Sequence, residues 1–350
     1  SKVFTEMGFD SYNLIQIFRS MSYQLGETVS DLIDNCIDAK ANEIKITYGL
    51  IDSGAFLIIN DNGKGLNENE IDESMSLGSN RSRKDSDLGK FGIGMKLSSM
   101  THANTITLIS KKVGEEAAIR TISYEHIQKT KKVELLKHTP KNLIGPMNAS
   151  SISEKLYVDM NSHGSTLILT DFRKEYDNKI VEHKKRHTRE TNYLKEFLSR
   201  TFEFHLKKED FKIILNDQEL TPLDPFYRDE VNTKNPRLGF EEHVTHLTYF
   251  GEAIKIEFLL IPPSHIIKDS YRTKRLKSIS SYDKVKQQGV YVYRNNRLIK
   301  SGGGWEDIFD LQIHSSKECA RVVIYADKKW DERLRLNVTK TDYEFPQNFN

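Results

Sequence analysis

SDLIDNCIDA, residues 30–39, carries two interleaved patterns at helical spacing. Asp31, Asn35 and Asp38 stand four and three residues apart and so share one face of a helix. Leu32, Ile33, Cys36 and Ile37 fall on the other side and read as core. A helix that buries one face and lines the other with two carboxylates and an amide is either solvated there or built to hold a ligand. The rest of the chain decides between the two.

Upstream, Leu14, Ile15, Phe18, Met21 and Leu25 recur at helical spacing and predict a helix before this one. Downstream, NEIKITY (42–48) alternates as a strand, and AFLIIN (55–60), bounded by Gly54 and DNGKG, reads as a buried strand. SNRSRKDSD (79–87) has no periodicity and reads as a mobile loop. It leads into GKFGIGMKLSSM (89–100), where glycines give way to a helix starting near Met95. NTITLIS (104–110) and STLILTDF (165–172) are strands, while the pattern between 129 and 159 is weak. A charge-rich helical stretch over 175–206 separates this half from a second. There FKIILNDQEL, EAIKIEFLLI, GVYVYRNNRLI and ARVVIYAD read as strands and IKSGGGW as a glycine-rich turn.

At 350 residues the chain can hold two domains. With 29% charged and 37% hydrophobic residues it has the balance of a soluble globular protein. No apolar run approaches the roughly 20 residues of a membrane helix, and SKVFTEMGFD lacks the basic and apolar regions of a signal peptide. These features predict a cytoplasmic protein, or a nuclear one in a eukaryote, with no membrane partner. Cys36 and Cys319 are too few and too far apart for a disulfide framework or a metal site; both read as small buried hydrophobes in a reduced compartment. The net charge of +2 gives no electrostatic signal for nucleic acid. HKKRH (183–187) and RTKRLK (272–277) read as solvated faces, with a nucleic-acid patch as the alternative.

Gly89, Gly92 and Gly94 precede a helix, an arrangement that suits a phosphate: glycines permit close backbone approach and the helix N-terminus offers N–H groups. Lys96 in the first turn could add a point charge for a terminal phosphate. An ordinary glycine-rich helix entry reads the same way. The segment is neither a dinucleotide fingerprint nor a Walker A loop. In DNGKGL (61–66), Gly63 and Gly65 allow a sharp turn while Asp61 closes the preceding strand. That is either a plain turn or a carboxylate placed to accept a hydrogen bond from the amino group of a base.

Taken in order, the acid–Asn–Asp helix, the strand ending DxGxG, the loop, the GxxGxGxK helix entry and the later strand opening Gly164-Ser165-Thr166 resemble the GHKL ATPases. That family includes gyrase B subunits, the ninety-kilodalton heat-shock chaperone, sensor histidine kinases, MutL and the MORC proteins. The resemblance implies an α+β chain: a Bergerat-type α/β sandwich ATPase domain over 1–172, its mixed sheet covered by helices on one face. A helical connector over 173–207 and an α+β transducer domain over 208–350 would follow. It implies ATP and Mg²⁺ as cofactors, with Asn35 as the metal ligand.

By the same resemblance, Asp31 stands where hydrolysing members usually carry Glu and would activate water, slowly, from one methylene further back. Glu27, one turn up, is the less favoured base. Asp38 matches a position near adenine, or is a helix-end surface carboxylate. Asp61 would read adenine, beside Gly63 and Gly65. Residues 79–90 would form a lid, and Gly89, Gly92, Gly94 and Lys96 the phosphate cradle. Ser165 falls at a hydroxyl position near the adenine-reading acid, with Thr166 as its alternative.

RLRLNVTKTDYEF (333–345) resembles the MutL and MORC strand that sends a lysine to the γ-phosphate, which singles out Lys340. GVYVYRNNRLIKSGGGW (289–305) resembles MORC, with Arg294, Asn296 and Arg297 in its loop. Histidine kinases are disfavoured, because no dimerisation helix pair with a phospho-acceptor His precedes the ATPase segments. The implied activity is a slow ATPase that dimerises on ATP binding and acts as a gated clamp on DNA, with room for a further effector domain or partner protein. A chaperone-like ATPase with protein clients and an ATP-binding switch with negligible hydrolysis are the alternatives.

Overall fold

The computed structural model describes residues 11–20, 23–51, 54–76, 94–138, 163–173, 180–226, 228, 241–249, 251–261, 287–309, 311–331 and 343. The chain divides into two compact units, one formed by 1–81, 91–188 and 213–218, the other by 82–90, 189–212 and 219–350. The architecture is α+β, as the sequence predicts.

The first unit begins with α1 (Ser11–Ser20) and α2 (Leu25–Asp38), then a hairpin of β1 (Glu43–Ile51) and β2 (Gly54–Asp61). It continues through α3 (Glu68–Met75), α4 (Gly94–His102), β3 (Ala103–Lys111), β4 (Ala118–Ser123), α5 (Tyr124–Thr130), β5 (Leu136–His138) and β6 (Gly164–Phe172). A long helix α6 (Ile180–Thr201), which enters the second unit at residue 189, and a short α7 (Glu203–Leu206) of that unit precede β7 (Lys212–Leu215) and β8 (Gln218–Glu219). Among the described residues, eight strands form one sheet in the order β5-β4-β3-β6-β2-β1-β7-β8. The pairings from β5 through β1 are antiparallel.

Helix α2 starts where a capping box closes it: Gln24 N–H donates to the Glu27 carboxylate at 3.0 Å and the Gln24 side chain receives the N3 amide. Its buried arc is wider than the sequence pattern suggests. Leu32, Ile33 and Cys36 are buried as expected, but so are Asp31 and Asp34, while Ile37 is half-exposed. Central strand β2 is buried on both faces from Ala55 to Ile59, which explains its unbroken apolar run. Helices α1 and α2 both pack on α4. Helix α3 is held to the sheet electrostatically: buried Arg120 of β4 pairs with Asp72 and, at 2.9 Å, with Glu68. Helix α5 and strand β5 occupy part of the 129–159 region where the sequence pattern is weak.

The second unit holds β9 (Glu241–Tyr249), β10 (Glu252–Leu260), β11 (Gly289–Arg294), β12 (Arg297–Ser301), α8 (Glu306–Phe309) and β13 (Ala320–Ala326). Among the described residues, its five strands run β12-β11-β13-β10-β9, with β11 and β13 parallel. One face packs Val290, Val292, Ile324, Trp305 and Trp330; the other packs Tyr291, Tyr293, Val323 and Phe226. Asn295 and Asn296, both at positive φ, make the two-residue turn that joins β11 to β12. Cys36 is buried, whereas Cys319 is only half-buried, against the second of these faces. No helix of the described residues is long and apolar enough to cross a membrane.

Candidate functional site

Three elements meet at one end of the first sheet: the C-terminal half of α2, the end of β2 and the start of β6. Asp61 closes β2, is 7% exposed, and pairs in register with Ser165 of β6. Its Oδ1 accepts from Gly63 N–H at 2.8 Å. Burial pushes the Asp61 carboxyl up from its usual range, opposed by the Gly63 amide, the Cys36 thiol, the Ser165 amide and His163. Cys36 on α2 is itself pushed well up by burial and by the adjacent Asp61, so its thiol stays protonated beside the acid.

Backbone contacts fix this corner. Lys64 N–H donates to Ala39 O at 2.9 Å, tying the DNGKG loop to the end of α2. Asn62 Oδ1 accepts from the amides of Asn42 and Glu43, both at 3.0 Å. Gly164 has φ +130°, and a Cβ there would lie 2.0 Å from Asp61 O; Gly65 has φ +66°, and its Cβ would lie 1.9 Å from Lys111 O. Only glycine fits either position. The glycines of DNGKG and of the Gly-Ser-Thr strand opening therefore allow chain crossings that bring Asp61 and Ser165 together.

On α2, Asp31 is 2% exposed and Asn35 is exposed one turn on. Asn35 Nδ2 donates to Asp31 O at 2.9 Å, which commits the amino end of the amide to the helix and presents its oxygen. An amide oxygen is the hard donor a magnesium ion takes, so the residue fits the metal the sequence implies. Asp38 is half-buried at the helix end. The Glu27 carboxylate accepts from Gln24 N–H in the capping box. Burial and the charges of Asp31 and Glu27 push the Tyr23 hydroxyl up to about 12, so a neutral phenol adjoins Asp31.

Lys96 is placed differently from the sequence reading, which aims it at a terminal phosphate. It is 1% exposed, and its Nζ donates to Ser74 O at 2.8 Å and to Ser76 O. The ammonium thus lies on the last carbonyls of α3, where a cation is favoured by the helix dipole. Gly94 opens α4, while Gly89, Gly92, the 79–90 segment and Lys340 lie outside the described residues.

Thr166 is buried and its Oγ1 accepts from Asn60 Nδ2 at 2.8 Å, whereas Ser165 Oγ lies 2.7 Å from Ser110 Oγ. In the strand register Ser165 is aligned with Asp61 and Thr166 with Asn60. Arg294 is 1% exposed and grips Asp331 through two bonds of 2.7 and 2.8 Å, and Arg297 is buried with its guanidinium over the Phe202 ring at 6.0 Å. Both are interior residues of the second unit.

Sequence reasoning missed Ser110, His163 and Asp34. Ser110 accepts from Leu66 N–H at 2.8 Å, and His163 Nδ1 donates to Gly63 O at 2.6 Å. Ser110 ends a strand and His163 precedes a glycine, weak signals that gain meaning only once β3 and β6 are known to be neighbours.

Residues 23–155 match the family model described as histidine kinase-, DNA gyrase B-, and HSP90-like ATPase. Protein MICRORCHIDIA 5 of Arabidopsis thaliana is 30% identical over 131 residues, covering 33% of this chain and 18% of that protein. The chain thus spans less than a fifth of the length of that relative. The matched segment contains α2, the DNGKG loop and α4, the elements that carry the buried Asp61 and the exposed Asn35. Over these residues the chain is similar to the histidine kinase-, DNA gyrase B- and HSP90-like ATPases and to a MICRORCHIDIA protein.

Proposed function

We propose that the chain binds ATP at the Asp61–Asn35 corner, hydrolyses it slowly, dimerises on binding it, and serves as a gated clamp on DNA. The observation that carries the nucleotide reading is Asp61: a buried carboxylate, acceptor-only when ionised, held at a strand end by Gly63 and Ser165. Such a group suits the amino donor of adenine and rejects a base without one, because the acid would be left unpaired.

In the proposed reaction water attacks the γ-phosphorus in line, the bond to the ADP oxygen breaks, and Asp31 takes the proton. Asn35 would hold Mg²⁺ through Oδ1. When bound, the metal neutralises phosphate charge. Residues 79–90 as lid, Gly89 to Gly94 as cradle, and Lys340 at the γ-phosphate complete the site. Lys96 holds Ser74 O and Ser76 O, shortly before the segment proposed as the lid. Units over 1–172 and 208–350, joined by a helical connector, would act as ATPase and transducer. The DNA clamp rests on the likeness of GVYVYRNNRLIKSGGGW to the MORC proteins. A switch with negligible hydrolysis is the second reading, favoured by the short acid at position 31 and its burial.

Competition binding of ATP against ITP, which lacks the 6-amino group, tests the site. The parent should prefer ATP by about 100-fold or more, and Asp61→Asn should reduce the preference to about threefold. Equal preference in both proteins would remove Asp61 from adenine recognition. Light scattering with Mg²⁺ and a non-hydrolysable ATP analogue tests the gate: a monomer-to-dimer shift only with the analogue supports it. An unchanged mass despite bound nucleotide leaves the switch reading.

A further inference from the structure

A polar cavity lies at the end of the first sheet opposite the Asp61 corner. Strands β3 and β6 run antiparallel with Lys111 against Gly164 at the nucleotide end and Ala103 against Phe172 at the other. There a cavity of about 600 Å³ is lined by Gln16, Arg19, Asn104, Tyr124, Asp171 and Arg173, among others. That volume falls in the range of small-molecule sites.

Its electrostatics are unbalanced. Arg19 is 6% exposed, sits over the Tyr124 ring with its guanidinium carbon 3.6 Å from the centroid, and donates to Met100 O at 2.8 Å, Ala103 O at 3.3 Å and Asn104 Oδ1 at 2.6 Å. Arg173 donates to Arg19 O at 2.7 Å and Thr101 O at 3.4 Å. Every one of these acceptors is neutral. Neither guanidinium has an ion pair among the described residues, and the Asp171 carboxylate accepts instead from Asn104 Nδ2 at 3.1 Å. Burial, then the neighbouring Arg173, lowers the Arg19 pKa, while Tyr124 and Asp171 act the other way. A buried guanidinium normally has a carboxylate partner, since its desolvation is otherwise uncompensated.

A second observation is independent of charge. Gln16 accepts from Tyr124 O–H at 2.8 Å through Oε1, while its Nε2 is buried without a hydrogen-bond partner. A buried amide donor left unmade costs about 1–3 kcal/mol. An orphan N–H donor, the buried guanidinium of Arg19 and the exposed one of Arg173 line the same cavity beside one carboxylate, Asp171, and all three donors are answered by one kind of ligand.

We propose that this cavity binds a small oxyanion, the carboxylate or phosphate group of a small molecule, held by Arg19, Arg173 and the Gln16 amide. The site is separate from the nucleotide corner. It closes on the last turn of α4, whose first turn opens at Gly94.

Calorimetric titration with inorganic phosphate and, separately, acetate at fixed ionic strength tests this. Saturating Mg²⁺ and a non-hydrolysable ATP analogue keep phosphate out of the nucleotide site. One saturable site per chain is expected for at least one probe, and the tighter probe identifies the oxyanion. Arg173→Gln should weaken it about tenfold or more. Gln16→Glu keeps the acceptor for Tyr124 and places a built-in carboxylate at the orphan donor, so it should abolish binding and raise the melting temperature. Absence of a saturable site for both probes would overturn the proposal, as would parental binding in both variants.

Discussion

Asn35 donates its side-chain amide to the main-chain carbonyl of Asp31, one helical turn back, at 2.9 Å. The bond fixes which end of the amide faces out of α2. It also places the proposed metal ligand and the proposed base on one turn of one helix. Asn35→Ala should remove the Mg²⁺-dependent part of ATP affinity, about tenfold or more, while leaving stability within about 0.5 kcal/mol because the side chain is exposed. Titrating a fluorescent ATP analogue with and without Mg²⁺ checks this. An unchanged Mg²⁺ dependence would take the metal away from Asn35.

Asp31 makes the distinction between enzyme and switch testable. The acid is one methylene shorter than the Glu that the family resemblance implies at this position, so Asp31→Glu should raise turnover if reach is limiting. Asp31→Asn should abolish turnover and keep nucleotide binding. Single-turnover hydrolysis reads both. An Asn variant that hydrolyses at the parental rate would show that the base lies elsewhere.

How far the sequence carries can be judged at particular residues. The four- and three-residue spacing of Asp31, Asn35 and Asp38 is legible because helical period is local, and Asn35 does face outward. The burial of Asp31 and Asp34 is not legible, since it depends on α4 packing against α2 from far along the chain. Strand β2 is legible from its apolar run. Strand β4 is hidden because Arg120 interrupts AIRTIS, and that arginine is buried only through Asp72 and Glu68 on α3. Edge strand β9, EEHVTHLTY, keeps His243, Val244, His246 and Leu247 exposed, so no apolar/polar alternation announces it. Lys96 illustrates the same limit for function: a lysine in a first helical turn reads as a phosphate ligand until the carbonyls of α3 are known to be near.

The glycine crossing at Gly164 should be stringent. With φ +130° and backbone 2.0 Å from a built Cβ, Gly164→Ala should cost about 3 kcal/mol or more, and nucleotide binding should fall because Asp61 moves. Gly114, at φ +78° with open space around it, is the control. There Ala should cost only about 1 kcal/mol. Urea unfolding of both variants compares them, and equal losses would mean the Gly164 approach carries no special constraint.

The pH dependence of stability should report on His205. It is 5% exposed on α7, with the Phe202 and Phe211 rings at 6.0 and 5.7 Å, and burial, then Lys208, lowers its pKa from 6.5 to about 4. The folded state therefore binds this proton less readily than the unfolded chain does. The contribution is fully present above pH 6.5 and is lost as pH falls through the window to about 4, a change of about 3 kcal/mol across it. Urea unfolding at intervals from pH 7.5 to 4.5 should show the parent losing stability faster than His205→Leu, which has no proton to take up. Parallel curves would mean that His205 titrates alike in both states, and that the acid sensitivity of this unit comes from its carboxylates.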